Sequence, residues 1–376
     1  MFFVFIITEK YVIIKNGCKL FWERSIFLKF NIGYQLLEDD RLVNKIIDCR
    51  ESINEVYFSF GDFPNGRNNQ TKSEIFTPIE AQEKQISDLC KLSQSGLAFN
   101  LLFNGNCYGK DSLSRAFFNK IGDTTDYLMR KIGIASVTVT SPVIAKFFKA
   151  NFEEIEVRAS VNMEIGSIEG MEYVADVFDS YYMKREYNRD FARIKQLREW
   201  CDENGKKLFG LANSGCLNNC SVHNFHDNLV AHENDISVMD NSYDFRGKCW
   251  EYLSKGDNAK YLIRNTNFIR PEDVHLYEGL FDGLKLATRI NAAPVKVINA
   301  YVSGKFFGGI NEILEPNHSS VIAPCFLDNS KFPKDFAETV GNCSKNCRSC
   351  SYCTDIYEKI LTNINGGYIY ADKQND

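Results

Sequence analysis

The chain has 376 residues, of which 44% are hydrophobic and 25% are charged, and its formal net charge is -5. These proportions are typical of a globular protein with a large core, and they argue against extensive disorder. The negative total argues against a nonspecific hold on nucleic acid, although a local basic surface is compatible with it. The length suits one α/β barrel of about 250 residues with extensions.

The first 27 residues are predicted to form an N-terminal extension. Their opening run, MFFVFIITEKYVIIKNG, lacks a preceding positive region and a small-residue cleavage site. It is therefore a poor signal peptide, and it is too short to span a bilayer, so we interpret it as a strand or hairpin. We expect a cytoplasmic protein with no membrane association, in which the thiols stay reduced.

Eight short apolar or β-branched runs follow, and each precedes a turn and a stretch of helical character. The runs are residues 29–34, 55–60, 97–104, 135–141, 156–161, 177–183, 207–213 and 283–289. Predicted helices between them are residues 40–49, 78–95 and 188–204. Eight such units indicate an α/β fold, a (β/α)8 TIM-type barrel over residues 28–314. A doubly wound open sheet is the alternative, because periodicity does not reveal closure.

Two segments depart from the regular pattern. Between the seventh and eighth strands the chain inserts residues 214–282, which are rich in Asn, His, Asp and Cys. A loop of this length is usually functional. After an amphipathic stretch at 290–314, residues 315–376 form a cysteine-rich C-terminal tail. We interpret this tail as an appendage of the barrel without a core of its own.

The first group of candidate ligands directly follows the seventh strand. Cys216 and Cys220 lie there, with His223 and His226 next along the chain and Cys249 farther on. Barrel active sites are built at the carboxyl ends of the strands, so these thiolates would meet a substrate. Soft thiolate ligands favour an iron-sulfur cluster, and a fourth thiolate would complete a [4Fe-4S] set. A zinc site that uses a histidine, or plain buried thiols, are the alternatives.

The second group lies in the tail and has the spacing C-x3-C-x2-C-x2-C. Its members are Cys343, Cys347, Cys350 and Cys353. On a helix all four would lie on one face, too flat to enclose a cluster, so we expect an irregular loop or shared ligands. The tail therefore predicts a second cluster or ligands for the first site. The first three also match the C-x3-C-x2-C of radical S-adenosylmethionine enzymes, although that motif follows the first barrel strand.

Polar side chains at the strand ends are candidates for substrate binding. Arginine binds carboxylate or phosphate through two parallel hydrogen bonds, so Arg67 and Arg289 are expected to hold an anionic substrate, with Asn104 nearby. Pairing of these arginines with neighbouring carboxylates is the structural alternative. Further polar residues at strand ends are Asn162, Arg185 and Asn213. Cys107, after the third strand, is the outside candidate for a fourth metal ligand.

Several catalytic signatures are absent from the sequence. It contains no G-x-x-x-x-G-K-[ST], no G-x-S-x-G, no H-E-x-x-H and no G-x-G-x-x-G after a strand. Nucleotide hydrolysis, serine hydrolysis and zincin proteolysis are thus unsupported. The carboxylate pair Glu272–Asp273 is interpreted as a solvated face or a helix cap.

Several stretches resemble the collagenase-like peptidase family U32. They are INEVYF (53–58) with Gly66–Arg67, VTVTSP (137–142), ASVN (159–162), NSGCLNNC (213–220), FIRPED (268–273) and GLKLATR (283–289). The similarity runs from about residue 28 to about residue 355. The resemblance implies an iron-sulfur barrel, and relatives of this type act in oxygen-independent hydroxylation of the ubiquinone ring or of RNA bases. The chain lacks the long C-terminal domains of some relatives and has a wider cysteine spacing.

The expected function is therefore that of a U32-type iron-sulfur protein with one or two [4Fe-4S] clusters, zinc being the alternative metal. It would act in oxygen-independent hydroxylation or a related redox modification of a small molecule, a peptide or RNA. The alternatives are an accessory protein that passes electrons to a heteromeric partner, and a metal-dependent peptidase. The thiolates suit a redox site better than a protease, because no nucleophile-base pair is evident.

Overall fold

A computed structural model of the chain describes residues 28–67 and 75–364, with the backbone of three strands in the first 27 residues. These strands, β1 (Val4–Ile7), β2 (Lys10–Lys15) and β3 (Cys18–Trp22), form an antiparallel sheet. Among the helices in the described ranges, none is long and apolar enough to cross a membrane.

A closed barrel of eight parallel strands forms the centre of the molecule. In chain order the strands are β4 (Phe30–Gly33), β5 (Ile53–Phe58), β6 (Ala98–Phe103), β7 (Ile134–Val139), β8 (Glu156–Ala159), β9 (Ser180–Tyr182), β10 (Lys207–Leu211) and β11 (Gly283–Leu286). Each pairs with the next, and β11 returns to pair with β4. All eight predicted strands and the barrel are confirmed, and the open-sheet alternative is wrong.

Helices fill the connections on the outside of the barrel and across its mouth. They are α1 (Arg41–Asp48), α2 (Pro78–Gln94), α3 (Arg115–Ile132), α4 (Pro142–Asn151), α5 (Ile168–Glu172), α6 (Phe191–Glu203), α7 (His223–Ala231), α8 (Glu233–Ser237), α9 (Lys248–Leu253), α10 (Leu262–Asn265), α11 (Pro294–Ser303), α12 (Ser319–Ile322), α13 (Phe336–Gly341) and α14 (Tyr352–Ile360). Short 3-10 helices are Arg50–Ser52, Gly109–Asp111, Val161–Met163, Arg185–Tyr187, Asn258–Tyr261, Pro271–Tyr277, Ile310–Ile313 and Asn329–Lys331. Two short strands, β12 (Cys325–Leu327) and β13 (Leu361–Asn363), pair antiparallel.

The outer helices begin and pack as their sequences predict. Thr77 forms a capping box with Glu80 at the start of α2, which satisfies backbone N–H groups that the first helical turn leaves unpaired. On α6, the predicted apolar positions Ile194, Leu197 and Trp200 are buried. The helix therefore covers the barrel with one apolar stripe. Of the inserted residues 214–282, α7, α8, α9 and α10 form the helical part.

The barrel interior contains a buried ion-pair network that sequence analysis did not identify. Arg158 on β8 forms a bidentate pair with Glu55 on β5, and its Nη2 lies 2.7 Å from Glu156 Oε1. Its Nε donates to Ser180 Oγ at 3.0 Å, and its guanidinium lies 3.9 Å from the Phe209 ring centre. Although burial alone would lower the pKa of Arg158, the charge of Glu55 raises it above the usual value. Pairing with the two glutamates thus stabilises the charged form of Arg158 inside the barrel.

The connection after β11 is not one continuous helix. Within the stretch 290–314 that was predicted to be amphipathic, α11 ends at Ser303, where Gly304 takes a φ of 63°. That left-handed conformation is the usual way to end a helix and favours glycine. The chain then continues to a separate 3-10 helix, Ile310–Ile313.

The pair Glu272–Asp273 lies in the first turn of the 3-10 helix Pro271–Tyr277, as the helix-cap interpretation predicted, but Asp273 is buried, so the solvated-face interpretation was wrong for it. Asp273 is buried and forms a salt bridge of 2.7 Å with Arg270, whose guanidinium lies 4.8 Å from the Phe332 ring centre. Glu272 Oε1 accepts hydrogen bonds from the Phe306 N–H at 2.7 Å and from Asn329 at 2.9 Å. Both carboxylates therefore fasten the segment after α11 and the tail to the barrel.

The described part of the tail shares the core of the barrel. Its apolar side chains on α13 and α14, including Phe336, Val340, Ile356 and Ile360, belong to the same buried cluster as the barrel strands. Arg189, at the mouth, lies 5.0 Å from the Phe336 ring centre. The tail is thereby held close to the carboxyl ends of the strands.

Candidate functional site at the barrel mouth

A cleft of about 630 Å³ opens at the carboxyl ends of the barrel strands. Active sites of TIM barrels lie on this face because the loops after the strands converge there. Its polar lining residues are Tyr57, Arg67, Asn104, Asn162, Arg185, Ser214, Cys216, Asp227, Lys285, Arg289 and Glu315. The cleft is therefore built by loops that are far apart in the sequence.

The three residues expected to bind substrate all line this cleft. Asn104 Oδ1 accepts a hydrogen bond of 3.1 Å from the Gly66 N–H, which fixes the turn that carries Arg67. Asn65 Oδ1 accepts from the Arg67 N–H at 3.1 Å and from Arg289 Nη2 at 3.4 Å. Asn65 thus joins the backbone of Arg67 to the side chain of Arg289, and the charge of Arg67 is near enough to act on Arg289.

The deep part of the cleft is cationic. Burial lowers the pKa of Arg289 to about 10, and the charge of Arg67 contributes to this shift. Burial lowers the pKa of Lys285 to about 7, with Arg289 the next largest cause. On the acidic side, burial raises the pKa of Glu315, and Arg67 opposes that shift. An anion that entered this site would relieve repulsion among the cations.

The remaining predicted polar residues divide into two groups. Asn162 and Arg185 line the cleft. Asn213 is fully buried, and its Nδ2 donates to the carbonyl oxygens of Ala287 at 3.1 Å and Ile313 at 2.9 Å. Asn213 therefore joins the end of β10 to the loops after β11, which makes it structural.

The first cysteine group lies beside the cleft, with its charges in range of one another but with the three thiols not gathered around one point. Cys216 lines it, and Cys249 at the start of α9 lies near both Cys216 and Cys220. Burial raises the pKa of Cys249, and negative charge on Cys216 and Cys220 would raise it further. All three thiols are free. Thiolates placed this close repel one another, and a bound iron-sulfur cluster would relieve this repulsion.

Cys107, the outside candidate, interacts within its own loop. The Gly109 N–H donates to its sulfur at 3.4 Å. Cys216 and Cys220 are the cysteines whose charges raise the pKa of Cys249. The fourth ligand position thus stays open between Cys107 and the tail.

The histidines expected in the zinc alternative lie on α7 above the cleft. His223 Nδ1 is 2.8 Å from Glu164 Oε1, and its Nε2 is 3.2 Å from Asp227 Oδ2 and next to Arg185. Burial lowers the pKa of both His223 and His226, with Arg185 and Arg67 respectively as the next causes. Among the described residues, no three His, Cys, Asp or Glu side chains are arranged around a single metal ion.

The second cysteine group lies in the tail. Cys343, Cys347 and Cys350 lie in an irregular, exposed loop, as their spacing predicted, and Cys353 lies in the first turn of α14. Burial raises the pKa of Cys353, and negative charge on the other three would raise it further. The donor type of both groups fits an iron-sulfur cluster, since each offers several free thiols.

A second cleft, of about 790 Å³, lies between the two cysteine groups. It is lined by Cys343, Cys347 and Cys353 on one side and by Asn218 and Asn219 on the other. The two asparagines belong to the loop that joins Cys216 to Cys220. The tail thiols therefore lie across this cleft from the loop that joins Cys216 to Cys220.

Gly215 is needed where the Cys216 loop crosses the start of the tail. Its N–H donates to the Glu315 carbonyl oxygen at 2.9 Å, and its own carbonyl oxygen lies 3.0 Å from His318 Nε2. A Cβ at this position would collide with the Pro316 carbonyl oxygen. The backbones of the cysteine loop and the tail can approach this closely because the residue has no side chain.

We expect Gly215→Ala to lower the free energy of unfolding by about 1–3 kcal/mol, because the collision must displace one of two backbones. Urea unfolding followed by circular dichroism measures this change. Gly122→Ala is a matched control: it lies inside α3, where the nearest atom to a new Cβ is 3.4 Å away, and alanine favours the helix. Equal stability of the two variants would contradict the prediction.

Lys285 is the functional candidate that sequence analysis missed. It lies in the middle of the predicted strand 283–289, and a lysine there resembles an ordinary exposed strand position. Closure of the barrel could have identified it, because in a closed barrel alternate residues of every strand point toward the buried interior. A lysine flanked by Leu284 and Leu286 on β11 must then face the interior.

Comparison with known proteins gives one clear sequence relative. The protein named Uncharacterized protease MJ1657, from Methanocaldococcus jannaschii, is 29% identical over 335 residues, which cover 85% of this chain and 92% of that protein. No family model matches the chain. The similarity therefore extends over nearly the whole of the archaeal protein.

A solved structure, that of the U32 peptidase Mk0906, has the same fold. Its TM-score is 0.50 at 13% identity, and the match covers 72% of this chain and 96% of that structure. At this identity the likeness shows the (β/α)8 barrel fold. The chain therefore shares its barrel fold with this U32 peptidase and is similar in sequence to an archaeal protein named as a protease.

Proposed function

We propose that the protein is an iron-sulfur protein of the U32 type that performs oxygen-independent hydroxylation, or a related redox modification, of an anionic substrate in the barrel mouth. The observation that carries the proposal is Cys216 in the wall of a cationic cleft, with Cys220 and Cys249 near enough for their charges to interact. This arrangement supports a thiolate-ligated redox centre next to bound substrate.

In this proposal the side chains of the chain bind and orient the substrate. Arg67 and Arg289 hold its anionic group, and Asn104 fixes the turn that carries Arg67. Burial of the cleft strengthens these contacts, because water competes with them less well. When bound, a [4Fe-4S] cluster supplies one-electron transfer beside the cleft.

The electron balance requires a further participant. Hydroxylation of a C–H bond with the oxygen atom of water releases two protons and two electrons, so an electron acceptor must take the electrons. A redox protein is the class of partner that would serve. The exposed tail cysteines Cys343, Cys347 and Cys350, if they hold a second cluster, would offer this partner an electron path at the surface.

A peptidase is the second candidate, and the names of the relatives favour it. His223 contacts two carboxylates near Cys216, which resembles part of a nucleophile-base system. However, the group that donates to Cys216 Sγ, at 3.7 Å, is Arg185 and not a histidine. A nearby cation stabilises a cysteine thiolate whether the thiolate is a metal ligand or a nucleophile, so this contact does not favour the peptidase.

Anaerobic purification tests the proposal. We expect brown protein with broad absorption near about 400 nm, and iron and acid-labile sulfide in roughly equal amounts, about four or eight per chain. Gelatin and casein should remain uncleaved by the same preparation. Colourless protein with about one zinc per chain, or proteolysis that persists in the Cys216→Ser variant, would overturn it.

A further inference from the structure

Lys285 is a buried amine without a conventional partner. Its side chain is 6% exposed, and it lines the base of the cleft at the barrel mouth. Its Nζ lies 4.0 Å from the Tyr57 ring centre and 5.1 Å from that of Tyr182. Within residues 28–67 and 75–364, no hydrogen bond or ion pair of this amine is found. Buried lysines are rarely left in this state, because the charged form is costly there.

The charged groups around Lys285 favour its neutral form. Arg289 after β11, Arg158 on β8 and Arg185 after β9 oppose its protonation, whereas Glu55 on β5 favours it. Glu55 is already paired with Arg158. Burial is the largest cause, and together these effects lower the pKa of Lys285 to about 7. Near neutral pH much of the amine is therefore unprotonated and nucleophilic.

The same cleft attracts anions next to this amine. Arg67 and Arg289 lie in its wall, and both are suited to bind a carboxylate or phosphate. A ligand that satisfies the arginines and the amine at once carries an anionic group close to an electrophilic carbon. Small 2-oxo acids and phosphorylated aldehydes or ketones have this chemistry.

We propose that the barrel-mouth cleft takes an anionic carbonyl compound and that Lys285 binds it covalently as an imine. This proposal rests on the proposed function only in placing the substrate in the barrel mouth, and it names the substrate class. It requires neither a cluster nor an oxidant.

The covalent step balances without a further reactant. The Nζ lone pair attacks the carbonyl carbon, the carbonyl π bond breaks, and one proton passes from nitrogen to oxygen to give a neutral carbinolamine. The C–O bond then breaks: the hydroxyl group leaves as water with a proton taken from solvent, while nitrogen forms a double bond to carbon and gives the protonated imine. Loss of the remaining nitrogen proton gives the neutral imine and returns that proton to solvent. The amine and the carbonyl compound thus give one imine and one water molecule, and the protonated imine withdraws electrons from the adjacent bonds.

Reductive trapping tests the inference on the anaerobically purified full chain. Glyoxylate is the probe, sodium cyanoborohydride reduces the imine, and peptide mass spectrometry locates the adduct. We expect Lys285 to be modified on the order of a hundredfold faster than exposed Lys305 at pH 7, because an ordinary lysine is almost wholly protonated there. The rate at Lys285 should rise with pH and level off above about pH 7, where the amine is neutral.

Three variants provide the controls. Lys285→Arg keeps a cation but cannot form an imine, and the fast adduct should vanish. Lys206→Arg should leave trapping unchanged, because Lys206 already donates to the carbonyl oxygens of Ala175 and Phe178. Arg67→Ala should slow trapping of glyoxylate but not of neutral acetaldehyde, because it removes an anion contact.

The outcomes separate this inference from the proposed function. Equal modification of Lys285 and Lys305, or a fast adduct that survives in Lys285→Arg, would overturn the inference whether or not the protein contains iron. Trapping that is fast both in the wild type and in Cys216→Ser supports it even if the protein proves free of iron. A brown protein without an adduct at Lys285 would agree with the proposed function and would contradict the inference that the substrate is a carbonyl compound bound to Lys285.

Discussion

Arg158→Leu should lower the free energy of unfolding by about 3–5 kcal/mol, a large share of the stability of an ordinary domain. The variant leaves the Glu55 carboxylate, which is 4% exposed, without the cation that compensates its charge. Glu156 keeps its contact with Lys207 Nζ at 2.6 Å, so Glu55 carries most of the effect. The cost arises because a single charge inside the barrel is poorly solvated.

Urea unfolding at pH 7 measures this change, and two further variants test its cause. Glu55→Leu combined with Arg158→Leu should recover much of the loss, because both charges are then absent. Arg41→Leu removes an exposed pair with Asp39 and should change the stability by less than about 1 kcal/mol. An Arg158→Leu protein as stable as Arg41→Leu would contradict the argument.

The fold was predictable because its signal is local. Runs such as 97–104 and 135–141 contain the apolar and β-branched residues of buried strands, and the observed β6 and β7 begin within one residue and end within two residues of them. Helix signals such as Thr77 before Pro78 are equally local. Eight repeats of strand and helix then leave few arrangements, and a closed parallel barrel is the commonest.

The polar barrel interior was not predicted because its partners are distant in the sequence. Glu55 and Arg158 are 103 residues apart, and each resembles a solvent-facing residue at the start of a strand. Lys285 has the same ambiguity on β11. Closure determines that these residues face inward, and closure is a property of all eight strands together. From the sequence alone, a single polar residue inside a strand therefore cannot be assigned to the barrel interior or to its outer surface.

The candidate metal site was predictable in part. The position of Cys216 and Cys220 after the seventh strand placed them at the mouth, where Cys216 lines the cleft. Cys249 was named with them, although it lies 29 positions after Cys220, because it belongs to the same inserted segment, 214–282. The sequence could not reveal the arginine environment of Cys216, since Arg185 approaches from the loop after β9.

Cys216→Ser should remove about half of the iron from the anaerobically purified protein, and so should Cys350→Ser. A serine hydroxyl is a much poorer iron ligand than a thiolate, so loss of one ligand is expected to empty that cluster. Two separate losses are expected because the thiols form two groups. The charges of Cys216 and Cys220 act on the pKa of Cys249, whereas the charges of the other tail cysteines act on the pKa of Cys353. Iron and sulfide analysis with absorption spectra measures both losses.

Cys90→Ser is the matched control, because Cys90 is a half-buried free thiol on α2, away from both groups, and its variant should keep the full iron content. A Cys216→Ser, Cys350→Ser double variant should be colourless. If Cys350→Ser alone removed all the iron, the tail would be a ligand source for the mouth site, across the short loop at Asn218 and Asn219. If neither single variant lost iron while Cys90→Ser did, the assignment of both groups as ligands would be wrong.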